Sequence, residues 1–163
     1  MIKTEIHKAK DLFDRYGKQI MRDDTCTNLL ATYRKAIENT WSVMQDLDII
    51  ETCSSCSQKW KGGCCFGCVE EWYDDVLLFI NILMGAEMPE STPMPDCCLF
   101  VGPKGCTLIA RHSFCINYLC KRLKDSISQS DQKRLSIISG REILCGVQVE
   151  QSIYNWIMRN SSY

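Results

Sequence analysis

A chain of 163 residues, 45% hydrophobic and 9% aromatic, is long enough to bury a core and does not have the composition of a disordered segment. Nineteen Lys and Arg stand against twenty Asp and Glu, a formal net charge of -1, so no basic surface is offered to nucleic acid or to an anionic membrane. The first residues carry charges at every turn with no signal-peptide core, and the longest apolar run, Val76 to Met84, is broken by Asn81 and too short to span a bilayer. The expectation is a single cytoplasmic domain over 1–163, in a compartment where thiols stay reduced.

In chain order, Ile2, Ile6, Ala9, Phe13, Tyr16 and Ile20 fall at steps of four and three and predict one amphipathic helix over 2–22. His7 lies off that stripe and reads as a solvated residue. Asp23-Asp24-Thr25 offers capping oxygens for a second helix over 25–50, with Leu30, Tyr33, Ile37, Trp41, Met44 and Leu47 inward. Cys26, alone in its first turn, reads as a small buried residue. A third helix over 69–85 is apolar around most of its girth and is expected at the centre. Its first turns carry Glu70, Glu71, Asp74 and Asp75, which complement the helix dipole. Three of the four prolines fall in 86–96, an extended connector, and Gly102-Pro103-Lys104-Gly105 marks a turn. A fourth helix opens at Arg111 or His112 and runs to about 126. The last helix, 131–159, places Leu135, Ile138, Cys145, Val149, Ile153 and Trp156 on its inner face, with Gly140 and Gly146 marking a kink or a close helix approach. The predicted class is all-α, a four- to five-helix bundle with two cysteine-rich metal-binding loops at helix ends.

Ten of the twelve cysteines lie in those two loops, 53–68 and 97–120. Cys53, Cys56, Cys64, Cys65 and Cys68 occupy the first, around the Gly62-Gly63 pair; Cys97, Cys98, Cys106, Cys115 and Cys120 occupy the second. Cys53-x-x-Cys56 and Cys65-x-x-Cys68 each allow two sulfurs to face one metal. Neighbouring side chains diverge, so one member of each doublet, Cys64-Cys65 and Cys97-Cys98, ligates while the other packs or serves a second centre. Ten thiols exceed the need of one four-coordinate ion and suit one iron–sulfur cluster with spare cysteines, two clusters, or a polynuclear thiolate centre. The third helix leads away from the first loop, so the two loops meet only if the connector runs back. Eleven residues at about 3.3 Å each reach roughly 36 Å, enough to retrace a helix of about 25 Å.

The order Cys-x2-Cys, a Cys-Cys doublet and then G-C-T-L-I-A-R-H-S-F-C resembles the YkgJ-type cysteine-cluster family, described as zinc- or iron-chelating proteins. Cys53, Cys56, Cys64 and Cys65 correspond to its first motif, Cys98 to a C-x-F segment, and Cys106, Arg111 and Cys115 to its last. The gap before the doublet is longer here, His112 stands where the family has proline, and Cys68 and Cys120 are additional. The resemblance covers about 53–120 and implies a bound metal or iron–sulfur centre without a known reaction.

Arg111 and His112 are the candidate residues beside such a centre. The guanidinium, with Lys121 and Arg122, offsets thiolate charge, and the imidazole is placed to ligate or to donate to a cluster sulfide. Trp60 either shields the site or anchors its loop. The leading expectation is an iron–sulfur protein, of the 4Fe–4S kind, in electron transfer or cluster handling with a redox or cluster-acceptor partner. A structural zinc adaptor is the alternative, and a copper-thiolate storage protein the third reading. Nucleophilic cysteine catalysis needs a thiol with a histidine and a carboxylate, and the two histidines, His7 and His112, supply little for it. No oligomeric state follows from the sequence.

Overall fold

In the computed structural model, which describes residues 1–59, 63–91 and 96–160, the fold is all-α. The first predicted helix forms as α1 (Ile2–Leu12), continues through a π-helical turn at Phe13–Gly17 and ends in α2 (Lys18–Ile20). The wider turn slips the phase of the stripe: Ile2, Ile6, Ala9 and Ile20 are buried, but Phe13 turns partly to solvent and Gly17 takes the inner position. A Cβ at Gly17 would lie 2.8 Å from the Phe13 ring, so only glycine fits there without displacing that ring.

Asp23 caps α3 (Asp24–Asp46), accepting from the Cys26 amide at 2.9 Å. Cys26 is buried as expected, with Ser152 opposite its sulfur. The helix predicted to continue to residue 50 breaks earlier, because Asp48 adopts a left-handed φ of 54°. It restarts as α4 (Ile49–Lys59). Cys53 and Cys56 therefore stand on a helix, not on the loop expected from the sequence. Val69–Trp72 is a short 3-10 turn, and α5 (Asp75–Leu83) begins only after Asp74, whose carboxylate accepts from the Leu77 amide at 2.8 Å. Leu78, Phe79 and Ile80 on α5 are fully buried, which confirms its central place.

The connector brings the chain back. Cys98 N–H donates to the Cys65 carbonyl at 2.8 Å, Gly67 N–H to the Asp96 carbonyl at 3.0 Å, and Phe66 and Cys97 form an isolated antiparallel bridge. A two-residue hairpin follows, β1 (Val101–Gly102) with β2 (Gly105–Cys106), closed by the predicted turn. The fourth predicted helix splits into α6 (Ser113–Asn117) and α7 (Lys121–Ser126), leaving Cys120 at the α7 N-cap. The final helix, α8 (Gln129–Asn160), lies along α3 and also touches α5, while α1 packs on α5. Gly146 marks a close approach, since a Cβ there would lie 3.0 Å from the Tyr33 hydroxyl; Gly140 faces open space. Among the described residues, no helix is long and apolar enough to cross a membrane.

One residue on the inner stripe of α8 breaks the apolar pattern. Glu142 has no solvent exposure, and neither of its carboxylate oxygens has a hydrogen-bond partner among the described residues. Burial pushes its pKa up, against the weaker pull of Thr40 and the Arg111 guanidinium. The folded state thus holds this proton to higher pH than the unfolded chain. Its contribution to stability is intact below the unfolded carboxylate range and is lost as pH rises through the folded pKa. An unsatisfied buried group costs roughly 1–3 kcal/mol, and 1 kcal/mol moves the melting point of a chain this size by about 2–4 °C. Glu142→Gln should therefore melt several degrees higher, relative to the parent, at pH 8 than at pH 5. A difference in melting point that does not change with pH would show that Glu142 does not titrate in the fold.

Candidate functional site

Eight of the ten clustered cysteines converge where α4, the 63–68 segment, the hairpin and the α6–α7 region meet. Cys53 and Cys56 come from successive turns of α4, which Ser54 ties to the hairpin through the Pro103 carbonyl at 3.5 Å. Gly63 starts the return of the chain with a left-handed φ of 51°, and a Cβ on it would sit 2.8 Å from the Cys56 sulfur. Only glycine satisfies both conditions.

Two adjoining spaces result. One is a partly enclosed cavity of about 110 Å³, lined by Cys53, Cys64, Cys65, Cys98, Cys106 and Cys115. The other is a more open cleft of about 410 Å³, bordered by Cys53, Cys56, Cys64, Cys65 and Cys120, with Arg122 at its edge. Apolar side chains, among them Trp41, Val69, Phe114 and Leu123, make up most of the first cavity's remaining wall, and among the described residues no carboxylate or imidazole lines either space. Lys121 instead pairs with Asp125 at 2.7 Å on the surface.

The other two clustered cysteines lie apart. Cys97 is buried beside the Phe66 bridge, and Cys68 is exposed with a left-handed φ of 83°; neither lines either of these two spaces. In the 97–98 doublet one thiol thus faces the cavity and the other does not. Both members of the 64–65 doublet face it. His112 also stays outside. Its Nδ1 accepts from the Phe114 amide at 3.2 Å, capping α6, and its ring packs between Trp72 and Tyr73 at 5.8 and 5.9 Å. Cys145 is remote, between α3 and α8, and Trp60 lies outside the described residues.

Arg111 reaches the enclosed cavity from the core side. Its guanidinium stacks on Trp41, 4.6 Å from the ring centre, with Nη2 3.7 Å from the Met44 sulfur. It is 9% exposed, and its Nε has no partner among the described residues. Its charge favours the thiolate forms of Cys53, Cys106 and Cys115, but burial outweighs it and pushes all three thiols up, Cys53 to about 11. Burial likewise takes Cys98 to about 12. Cys64 and Cys65 share a hydrogen bond that pulls Cys64 down and Cys65 up. Ligation of a metal here would release protons from the buried thiols.

The donor set fits a thiophilic metal or an iron–sulfur cluster: sulfur donors, largely apolar walls, and a buried cation to balance thiolate charge. A mononuclear zinc site needs sulfurs about 3.8 Å apart, the edge of a tetrahedron with bonds of about 2.3 Å. Among the described residues, no three Cys, His, Asp or Glu side chains are grouped so that they could hold a metal ion as they stand. Ligation therefore calls for side-chain rotation.

Two residues outside the cysteine motifs position the site. Tyr73 accepts from the His112 amide at 3.0 Å and donates to the Cys115 sulfur at 3.8 Å. Asn81 is fully buried: its amide donates to the carbonyls of Leu77 and Ala110 at 2.9 and 2.8 Å, and its oxygen accepts from the amides of Ile109 and Ala110 at 2.9 and 3.0 Å. It fixes the strand of chain between Cys106 and Arg111. The sequence signal for Asn81 was its interruption of the apolar run.

The chain matches no family model, and no match was found among curated proteins or solved structures. The YkgJ-type likeness rests on the motif residues alone.

Asn81→Leu keeps the size but orphans three backbone groups of 109–110, and should cost roughly 3–5 kcal/mol. Tyr73→Phe should cost about 1 kcal/mol. Thermal melts check the order of the two, and faster titration of the cavity thiols by a thiol reagent in Asn81→Leu checks that the loss is felt at the site. Gly63→Ala should expose the same thiols through the collision with Cys56.

Proposed function

We propose that this chain is a metal–thiolate protein that carries iron–sulfur chemistry in the cysteine-lined cavity, with a role in electron transfer or cluster handling. One observation carries the reading: eight thiols from separate stretches of chain line two adjoining spaces that, among the described residues, hold no carboxylate or imidazole. Thiolate-only donor sets select soft metals and iron–sulfur clusters over magnesium or calcium. The apolar walls and the buried Arg111 guanidinium suit an anionic cluster, whose potential depends on net charge and solvent exposure. The residues proposed to ligate are Cys53, Cys56, Cys64, Cys65, Cys98, Cys106, Cys115 and Cys120. Arg111 supplies the balancing charge. The partner is a redox or cluster-acceptor protein.

Anaerobic purification followed by iron, zinc, copper and acid-labile sulfide analysis tests this. The expected product is brown, with iron and sulfide in equal amounts. Alanine at Cys53, Cys56, Cys106 or Cys115 should lower the metal content, while alanine at Cys26 or Cys145 should leave it unchanged. A colourless protein with stoichiometric zinc would replace the iron–sulfur role by a structural one. Equal loss from both sets of variants would sink the site assignment.

A further inference from the structure

The eight thiols at the cavities are not one undivided ring. Cys56 and Cys120 border only the open cleft, whereas Cys98, Cys106 and Cys115 border only the enclosed cavity. Cys53, Cys64 and Cys65 stand where the two spaces meet. Cys64 and Cys65 are consecutive residues at that boundary.

The backbone supports the same division. α4 supplies Cys53 and Cys56 to the cleft, and the Gly63 turn brings the following Cys64 back against that helix. Cys65 is joined to the other stretch, because its carbonyl accepts the Cys98 amide at 2.8 Å. The hairpin then returns the chain so that Val101 pairs with Cys106, and the Tyr73 hydroxyl sets Cys115 at 3.8 Å.

We propose that the chain holds two four-cysteine centres sharing the Cys64–Cys65 peptide as a common wall. Cys53, Cys56, Cys64 and Cys120 bind the first. Cys65, Cys98, Cys106 and Cys115 bind the second. Four is the thiolate number of both a closed zinc site and a 4Fe–4S cluster, so eight cavity thiols complete two centres with none left over. A single four-ligand centre would leave four of the eight cavity thiols without a bond to a metal. The doublet at 64–65 gains a reason under this division: consecutive residues are the shortest way to give one ligand to each of two abutting sites. Cys97 and Cys68 belong to neither centre. The inference rests on the thiolate–metal reading above.

The test is an anaerobic zinc titration of the reduced, metal-free protein against a chromophoric chelator, with a parallel reconstitution using iron and sulfide. The parent should bind two zinc ions. Cys56→Ser and Cys98→Ser should each bind one, the double variant none, and Cys68→Ser and Cys97→Ser still two. Cys120→Ser and Cys106→Ser repeat the test for each centre, and only variants that keep the parent's far-ultraviolet dichroism are compared. One zinc ion in the parent, or complete loss in folded variants of both centres, would overturn the division and leave a single metal centre standing. Two zinc ions with no cluster assembled would uphold the division and remove the iron–sulfur role. Failure to bind either metal would overturn both.

Discussion

The cysteine-bearing end of the molecule depends on a short seam of main-chain hydrogen bonds. Cys98 to Cys65 and Gly67 to Asp96 hold together two stretches that α5 separates in the chain. α5 takes the chain away from the site, the connector returns it, and Asn81 on the outgoing helix grips the returning strand at Ile109 and Ala110. The two legs are thus fastened at both ends, and the cavity floor is what lies between. An amide side chain suits this task because it offers donors and an acceptor together, and in a dry core each main-chain group it meets would otherwise be costly to leave unpaired.

The electrostatics of the site follow from what is buried behind it. Arg111 brings a permanent positive charge to the core side of the thiols and has no carboxylate bonded to it among the described residues. Glu142 is near enough to feel that charge, yet burial keeps its proton on to higher pH. While Glu142 is neutral, the field of the guanidinium is directed at the cavity without being cancelled from behind. A desolvated cation is tolerated here through stacking on Trp41, a contact that gains strength as water is removed.

The helical class was legible because the stripes of α3 and α8 keep a regular period and because Asp23 marks a helix start. The length of the connector permitted its return without requiring it. Other features were not legible, for identifiable reasons. Cysteine is apolar enough to extend the inner stripe of a helix, so Ile49, Ile50, Cys53 and Cys56 form a helical pattern that reads as a loop when the cysteines are taken only as ligands. The π-turn shifts the phase of one stripe by a single position and leaves no composition signal. Glu142 was detectable in principle, since it occupies the step between Ile138 and Cys145 on a stripe whose other members are apolar. Spacing alone did not say which cysteines face the cavities, since Cys97 and Cys98 differ only in the direction each takes from a bridge between segments distant in sequence; the motif likeness did single out Cys98.

The placement of Cys53 and Cys56 on a helix has a consequence for how the site would be assembled. Joining remote parts of a chain costs entropy that grows only slowly with the length enclosed, about 0.6 kcal/mol for each doubling, so most of the expense falls on forming the first closure. Two sulfurs one turn apart on α4 need no closure beyond the helix itself. In the proposed reading they are the natural landing point for an incoming metal, and the later ligands act as successive cross-links that draw the 64–65 stretch, the hairpin and the α7 N-terminus onto it. Each link shortens the loop that the next must close, so capture would become progressively easier from the helix outward.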